Sequence, residues 1–269
     1  MILDAIVAHK RHELDERKQR RPLAQLEAAL AQHAEPTRPF ATALRQHQGV
    51  AIIAEIKRKS PSGGELRQGV SAAELAALYA ANGAAALSVL TDYHYFGGED
   101  SDLVVARESS GLPALRKDFI IDEYQVYEAR GLGADAALLI VRVLSPAELS
   151  HLLAVARRLD MAALVETHSA DEVRLALDAG ARVVGVNNRD LDTLITDSSL
   201  APRLRELVPP ECVYVAESGI SSPGQMAGLA AAGVDAVLIG ESLLRSSDPA
   251  AKLRELAAAG HSATVVSGP

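Results

Sequence analysis

Tryptophan is absent from this chain, and Phe, Trp and Tyr together make up only 3% of its 269 residues. That disfavours an aromatic-rich β-sandwich, and a composition led by alanine, leucine and valine fits helices and short parallel strands. Cysteine occurs once, as Cys212, so no internal disulfide can form. It sits in the apolar run Cys212-Val213-Tyr214-Val215-Ala216 and reads as a buried, inert thiol. No uninterrupted apolar stretch approaches the roughly 20 residues of a membrane-spanning helix, and the N-terminal segment turns charged too soon for a secretory signal. A soluble, cytoplasmic protein is expected. Positive charge is also in deficit: 27 Lys and Arg against 35 Asp and Glu give a formal net charge of -8. General affinity for nucleic acid or for an anionic membrane surface is therefore not expected. The eight histidines form no H-x-H or H-E-x-x-H pair at a strand end, so no metal site is expected.

What is present divides in two. In residues 1–48, Ile2, Leu3, Ile6 and Val7 share a helix face, and Leu23, Leu26, Ala29 and Leu30 form a second stripe. The charged stretch between them mixes both signs, so a helical extension packed on the main domain is favoured over a membrane-surface or partner-binding helix. Residues 49–269 repeat a different unit. A helical segment closes on a small-residue turn containing Gly83, Gly133, Gly180 or Gly233, and an apolar strand follows each turn. Glycine supplies the left-handed helix terminus, and a strand without polar alternation suits a sheet covered on both faces. Strands are expected within 50–56, 82–90, 113–116, 132–141, 162–166, 179–187, 212–216 and 232–240, each followed by a helical pattern. Eight such units in roughly 210 residues predict a (β/α)8 TIM barrel of α/β class. A doubly wound open sheet is the alternative, weakened because no G-x-G-x-x-G follows a strand.

In such a barrel the active site lies at the carboxyl ends of the strands. Those ends read Glu55 and Lys57, Thr91, Arg116 and Lys117, Arg142, Glu166, Asn187 and Arg189, Glu217 and Ser218, and Gly240. Charge at the end of an apolar strand is costly unless it is paired or used, so this rim is a candidate acid–base site. A structural ion pair between Glu55 and Lys57 is the bland alternative. Gly219 and Gly240 each follow an apolar strand and precede a helix, a junction at which backbone N–H groups bind phosphate. His94 and His168 fall in loops that face the same rim.

The strings Glu55-Ile56-Lys57-Arg58-Lys59-Ser60-Pro61-Ser62, Leu115-Arg116-Lys117-Asp118-Phe119, Val165-Glu166, Asn187-Asn188-Arg189-Asp190-Leu191 and Ala216-Glu217-Ser218-Gly219-Ile220 fall in order at five strand ends. In this the chain resembles the indole-3-glycerol-phosphate synthase family over nearly all its length, including the N-terminal extension. The resemblance implies conversion of 1-(2-carboxyphenylamino)-1-deoxyribulose 5-phosphate to indole-3-glycerol phosphate, CO2 and water in tryptophan biosynthesis, with no cofactor and no metal. It further implies Lys117 as general acid, Glu166 as general base of the dehydration, and Lys57 as partner of the substrate carboxylate. Glu55 and Asn187 would orient these groups. Ser60, Arg189, Glu217 and Ser218 match substrate contacts, Gly219 and Gly240 would donate to phosphate, and Phe96 and Phe119 would wall the aryl ring. The side chain of Glu241 is expected to point away from the phosphate, and the loop from Ser60 to Gly64 to close over the substrate. The partner implied is this small phosphosugar–anthranilate molecule alone, bound by a monomer or weak homo-oligomer. A phosphosugar isomerase, a Schiff-base aldolase and a non-catalytic phosphosugar-binding barrel are the competing readings.

Overall fold

The computed structural model describes residues 2–33, 35–60, 64–66 and 69–261. Its centre is a closed barrel of eight parallel strands: β1 (Ala51–Ile56), β2 (Ala86–Leu90), β3 (Ala114–Lys117), β4 (Ala136–Ile140), β5 (Ala162–Thr167), β6 (Val183–Asn187), β7 (Val213–Glu217) and β8 (Ala236–Ile239). Spatial order follows chain order, and β8 closes on β1 with Ala51 opposite Ala236. The TIM-barrel expectation is met, and all eight expected strands are present. The turn glycines Gly83, Gly133, Gly180 and Gly233 have φ between 76° and 98°, which lets each helix reverse into the next strand without a Cβ clash. Helix starts are equally local in origin. Ser71 with Glu74, Ser145 with Glu148 and Ser222 with Gln225 form reciprocal capping boxes.

Alternation along each strand sorts the apolar residues into two cores. Outward residues such as Ile52, Leu87, Val165 and Val184 pack beneath the helices. Inward residues, including Ile53, Leu115, Leu164 and Val215, fill the barrel.

The N-terminal extension comprises α1 (Ile2–Arg20), α2 (Leu23–His33) and α3 (Phe40–Arg45). Leu3 and Ile6 of α1 and Phe40 and Leu44 of α3 join the inward core. They do so from opposite ends. α1 borders the cavity at the carboxyl ends of the strands, whereas α3 packs on β1, β2 and β7 near the chain that enters β4, where Arg38 N–H donates to Asp135 Oδ1 at 2.6 Å. The extension therefore touches both mouths of the barrel, more than a cap at one end. No helix among the described residues is long and apolar enough to cross a membrane.

Candidate active site

The strand register puts Glu55, Lys117, Glu166 and Glu217 in a single layer. Glu55 lies opposite Ser88, and Ser88 opposite Leu115, two residues below Lys117. The same two-residue rise relates Glu166 on β5 to Glu217 on β7, through Gly185 and Val215. In barrels of this kind alternate strands fill each interior layer. Here the odd-numbered strands supply a layer of three carboxylates and one ammonium, directly above the apolar layer of Ile53, Leu115, Leu164 and Val215.

Lys117 is the hub. Its Nζ donates to Glu166 Oε2 at 2.7 Å and to Glu217 Oε2 at 2.8 Å. Burial disfavours its charge, but Glu166, Glu217 and Glu55 outweigh that and raise its pKa above the ordinary lysine range. The two carboxylates it joins are driven apart. Burial pushes both upward; Lys117, His168 and Asn187 nevertheless hold Glu166 well below the usual carboxylate range. Glu217 also has Lys117 but is repelled by Glu166 and Glu55, and burial with that repulsion pushes it up to about 7. Its Oε1 is buried with no hydrogen-bond partner among the described residues. One carboxylate held ionised and its neighbour poised to carry a proton form an acid–base pair around a shared ammonium. Asn187 Nδ2 donates to Glu166 Oε1 at 3.0 Å and fixes its orientation. Lys57 Nζ lies 2.5 Å from Glu55 Oε1, so the ion pair and the site coincide.

Above this layer opens a cavity of about 440 Å³. One wall is apolar: the Phe96 and Phe119 rings lie 6.0 Å apart at 36°, and Leu3 and Ile6 of α1 continue the surface. The other side is formed by Ser218, Gly219 and Gly240 with Arg189, Glu241 and Arg245. Gly240 is required by close approach, since a Cβ there would collide with the Glu55 carboxylate. Glu241 does not point away as expected. It lines the cavity, 3.4 Å from Arg189 and 2.9 Å from Arg245, so two guanidinium groups bracket one carboxylate and that side is net positive.

Several rim expectations are corrected. Arg116 is fully buried and faces outward, donating to Glu128, Asp100, Asp118 and Thr91 beneath the helices. Strand parity is the reason: if Leu115 and Lys117 face in, Arg116 and Thr91's hydroxyl meet outside. Arg142 also leaves the cavity, reaching Glu172, Asp190 and Asp192. His94 stacks on His9 of α1 with ring centroids 4.3 Å apart, away from the layer. Residues 61–63 and the Ser60 side chain lie outside the described set; Lys59–Ser60 pairs antiparallel with Gly64–Glu65. Sequence reasoning missed Arg245 and the buried Lys10 of α1, which contacts Asp92 at 3.0 Å and Asp118 at 2.9 Å. A signal for Lys10 existed: it occupies the helix stripe of Leu3, Ile6 and Leu14, where an apolar residue is expected.

A closed eight-stranded barrel with an interior layer of charged side chains facing a cavity at its carboxyl ends defines a (β/α)8 protein with a candidate acid–base site. Solved structures share the fold: a thiamine phosphate pyrophosphorylase from Pyrococcus furiosus aligns with TM-score 0.58 at 15% identity, covering 79% of this chain and 96% of that one. A 3-hexulose-6-phosphate synthase from Salmonella typhimurium aligns with TM-score 0.58 at 15% identity, covering 79% and 100%. At such identities the likeness is one of fold. Sequence similarity is narrower. The family model described as indole-3-glycerol phosphate synthase matches residues 3–256. A protein of that name from Acidithiobacillus ferrooxidans is 51% identical over 258 residues, covering 95% of this chain and 98% of the relative. Another from Dehalococcoides mccartyi is 48% identical over 259 residues, covering 95% and 100%. The chain belongs to the indole-3-glycerol phosphate synthase family.

Proposed function

We propose that this protein converts 1-(2-carboxyphenylamino)-1-deoxyribulose 5-phosphate to indole-3-glycerol phosphate, CO2 and water in tryptophan biosynthesis, as a cytoplasmic carboxy-lyase. The observation that carries the reading is Lys117 held between Glu166 and Glu217 beneath a cavity with one apolar and one cationic side. The aryl ring rests against Phe96 and Phe119, and the phosphate against the backbone of Gly219 and Gly240 beside Ser218, Arg189 and Arg245. Lys57 and Glu55 engage the substrate carboxylate end, and Ser60 contributes from the first loop. As the aryl carbon attacks the ketone carbon, Lys117 protonates the ketone oxygen, and the ring carboxylate leaves as CO2. In the dehydration the hydroxyl takes a proton from Lys57 and departs as water, while Glu166 removes the proton whose loss completes the indole. Asn187 orients Glu166, and Glu217 moderates the charge on Lys117.

A Schiff-base reaction needs a free amine, and the carboxylates around Lys117 favour its charged form, which argues against the aldolase reading. Residues 1–48 act as an extension that completes the apolar wall of a barrel beginning at residue 49, in a chain that works as a monomer or weak homo-oligomer. The test is purified protein with the carboxyphenylamino substrate in EDTA, followed by indole fluorescence. Product formation is expected. Its absence would sink the assignment, and dependence on added metal would overturn the acid–base mechanism.

A further inference from the structure

His168 is buried beside the acid–base layer, yet the reaction above gives it no task. Its side chain is 2% exposed and does not line the cavity. It stands two residues after Glu166, so the two side chains leave the end of β5 on the same side. Nε2 lies 3.4 Å from Glu166 Oε1, the oxygen that also accepts from Asn187 at 3.0 Å, while Oε2 accepts from Lys117. That distance is an ion-pair distance, and the contact is off the line of a hydrogen bond. On the far side, Glu172 Oε2 accepts the His168 backbone N–H at 2.7 Å and lies 3.3 Å from Nδ1. Both ring nitrogens thus face carboxylates. The cations stand one group further away, Lys117 beyond Glu166 and Arg142 at 3.4 Å from Glu172.

We propose that His168 is a positioning residue for Glu166: a cationic ring, fixed in place by Glu172, that holds Oε1 on the Asn187 side and so keeps Oε2 turned to Lys117. The inference rests on the reading of Glu166 as the base of the dehydration. An imidazole facing two carboxylates satisfies both only when both nitrogens carry protons. Burial alone favours the neutral ring, but Glu166 and Glu172 outweigh it and push the pKa of His168 up to about 9. A cation at that distance also favours the ionised Glu166, the form able to receive a proton.

The decisive experiment has two arms on the full chain. In ¹⁵N-histidine NMR of the substrate-free wild type, one imidazole should carry protons on both nitrogens at pH 8 and titrate near 9, and its signals should vanish in His168→Gln. A neutral His168 ring at pH 7 would overturn the proposal. In the indole assay, His168→Gln and Glu172→Gln should each lower kcat about tenfold with KM changed less than about twofold. In His168→Gln the acid limb of kcat should move to higher pH, because losing a cation raises the pKa of Glu166. Profiles that superimpose on the wild type would overturn the proposal. Should the wild type form no indole, the functional reading fails, while the NMR arm still decides the charge on His168.

Discussion

Strand β3 carries two charge clusters back to back, and one step along the chain separates them. Lys117 points into the barrel toward Glu166 and Glu217 under an open cavity. Its neighbours Arg116 and Asp118 belong to a second network, beneath the helices and α1. Arg116 meets Glu128 at 2.8 Å, Asp100 at 3.1 Å and Asp118 at 3.3 Å, and Asp118 in turn meets Lys10 of α1 at 2.9 Å. Inside, Glu55 pairs with Lys57 while Glu166 and Glu217 share the Lys117 ammonium, and burial together with the neighbouring carboxylates pushes Glu217 up to about 7. Outside, burial is overcome by Lys10 and Arg116, and Asp118 is held down to about 2. Frustrated charge beside a cavity can exchange protons; well-paired charge, open to solvent only at its Asp100 and Glu128 edge, holds α1 to the barrel.

If that division is right, substitutions on the two faces fail in different ways. Lys117→Met should lower turnover about 10³-fold or more while the chain stays folded, its midpoint falling less than that of Arg116→Met because Glu217 can take up a proton in place of the lost ammonium. A large fall in midpoint would merge the two clusters into one structural unit. Arg116→Met should instead cost about 3–5 kcal/mol in urea unfolding, because it leaves buried carboxylates uncompensated. The smallest effects should have opposite signs. Folding raises the pKa of Glu217, so that shift stabilises the fold below the unfolded value and the benefit is lost as pH rises through about 7. Glu217→Gln should therefore raise the midpoint by about 2 °C at pH 8 and leave it nearly unchanged at pH 4. Folding lowers the pKa of Asp118, so its contribution is present above the unfolded value and lost as pH falls toward about 2. Asp118→Asn should destabilise at pH 7, by a margin that shrinks as the solution is acidified.

The barrel was legible because its signals are local: turn glycines, capping serines and unbroken apolar strands each follow from a few adjacent residues. The inward layer was legible in composition, since Glu55, Lys117, Glu166 and Glu217 all stand at the ends of such strands. Arg116 was misplaced by a single step of strand parity, although Leu115 facing the core already sets Lys117 inward. The partners were not legible. Whether Lys117 meets Glu166 or Lys10 meets Asp118 depends on chain segments 49 and 108 residues apart, brought together only by closure of the barrel and by the path of the extension. His168 lay between these cases: its spacing from Glu166 was readable, its brace on Glu172 less so.

The division of labour within the inner layer is the central claim, and single turnover by Glu166→Gln tests it most directly. With carboxyl-labelled substrate, CO2 release and indole formation are followed in the same reaction. Lys117 still serves ring closure, so CO2 should appear at least about tenfold faster than indole, leaving a decarboxylated, undehydrated intermediate. If the two rates fall together, or neither changes, Glu166 is not the base of the dehydration.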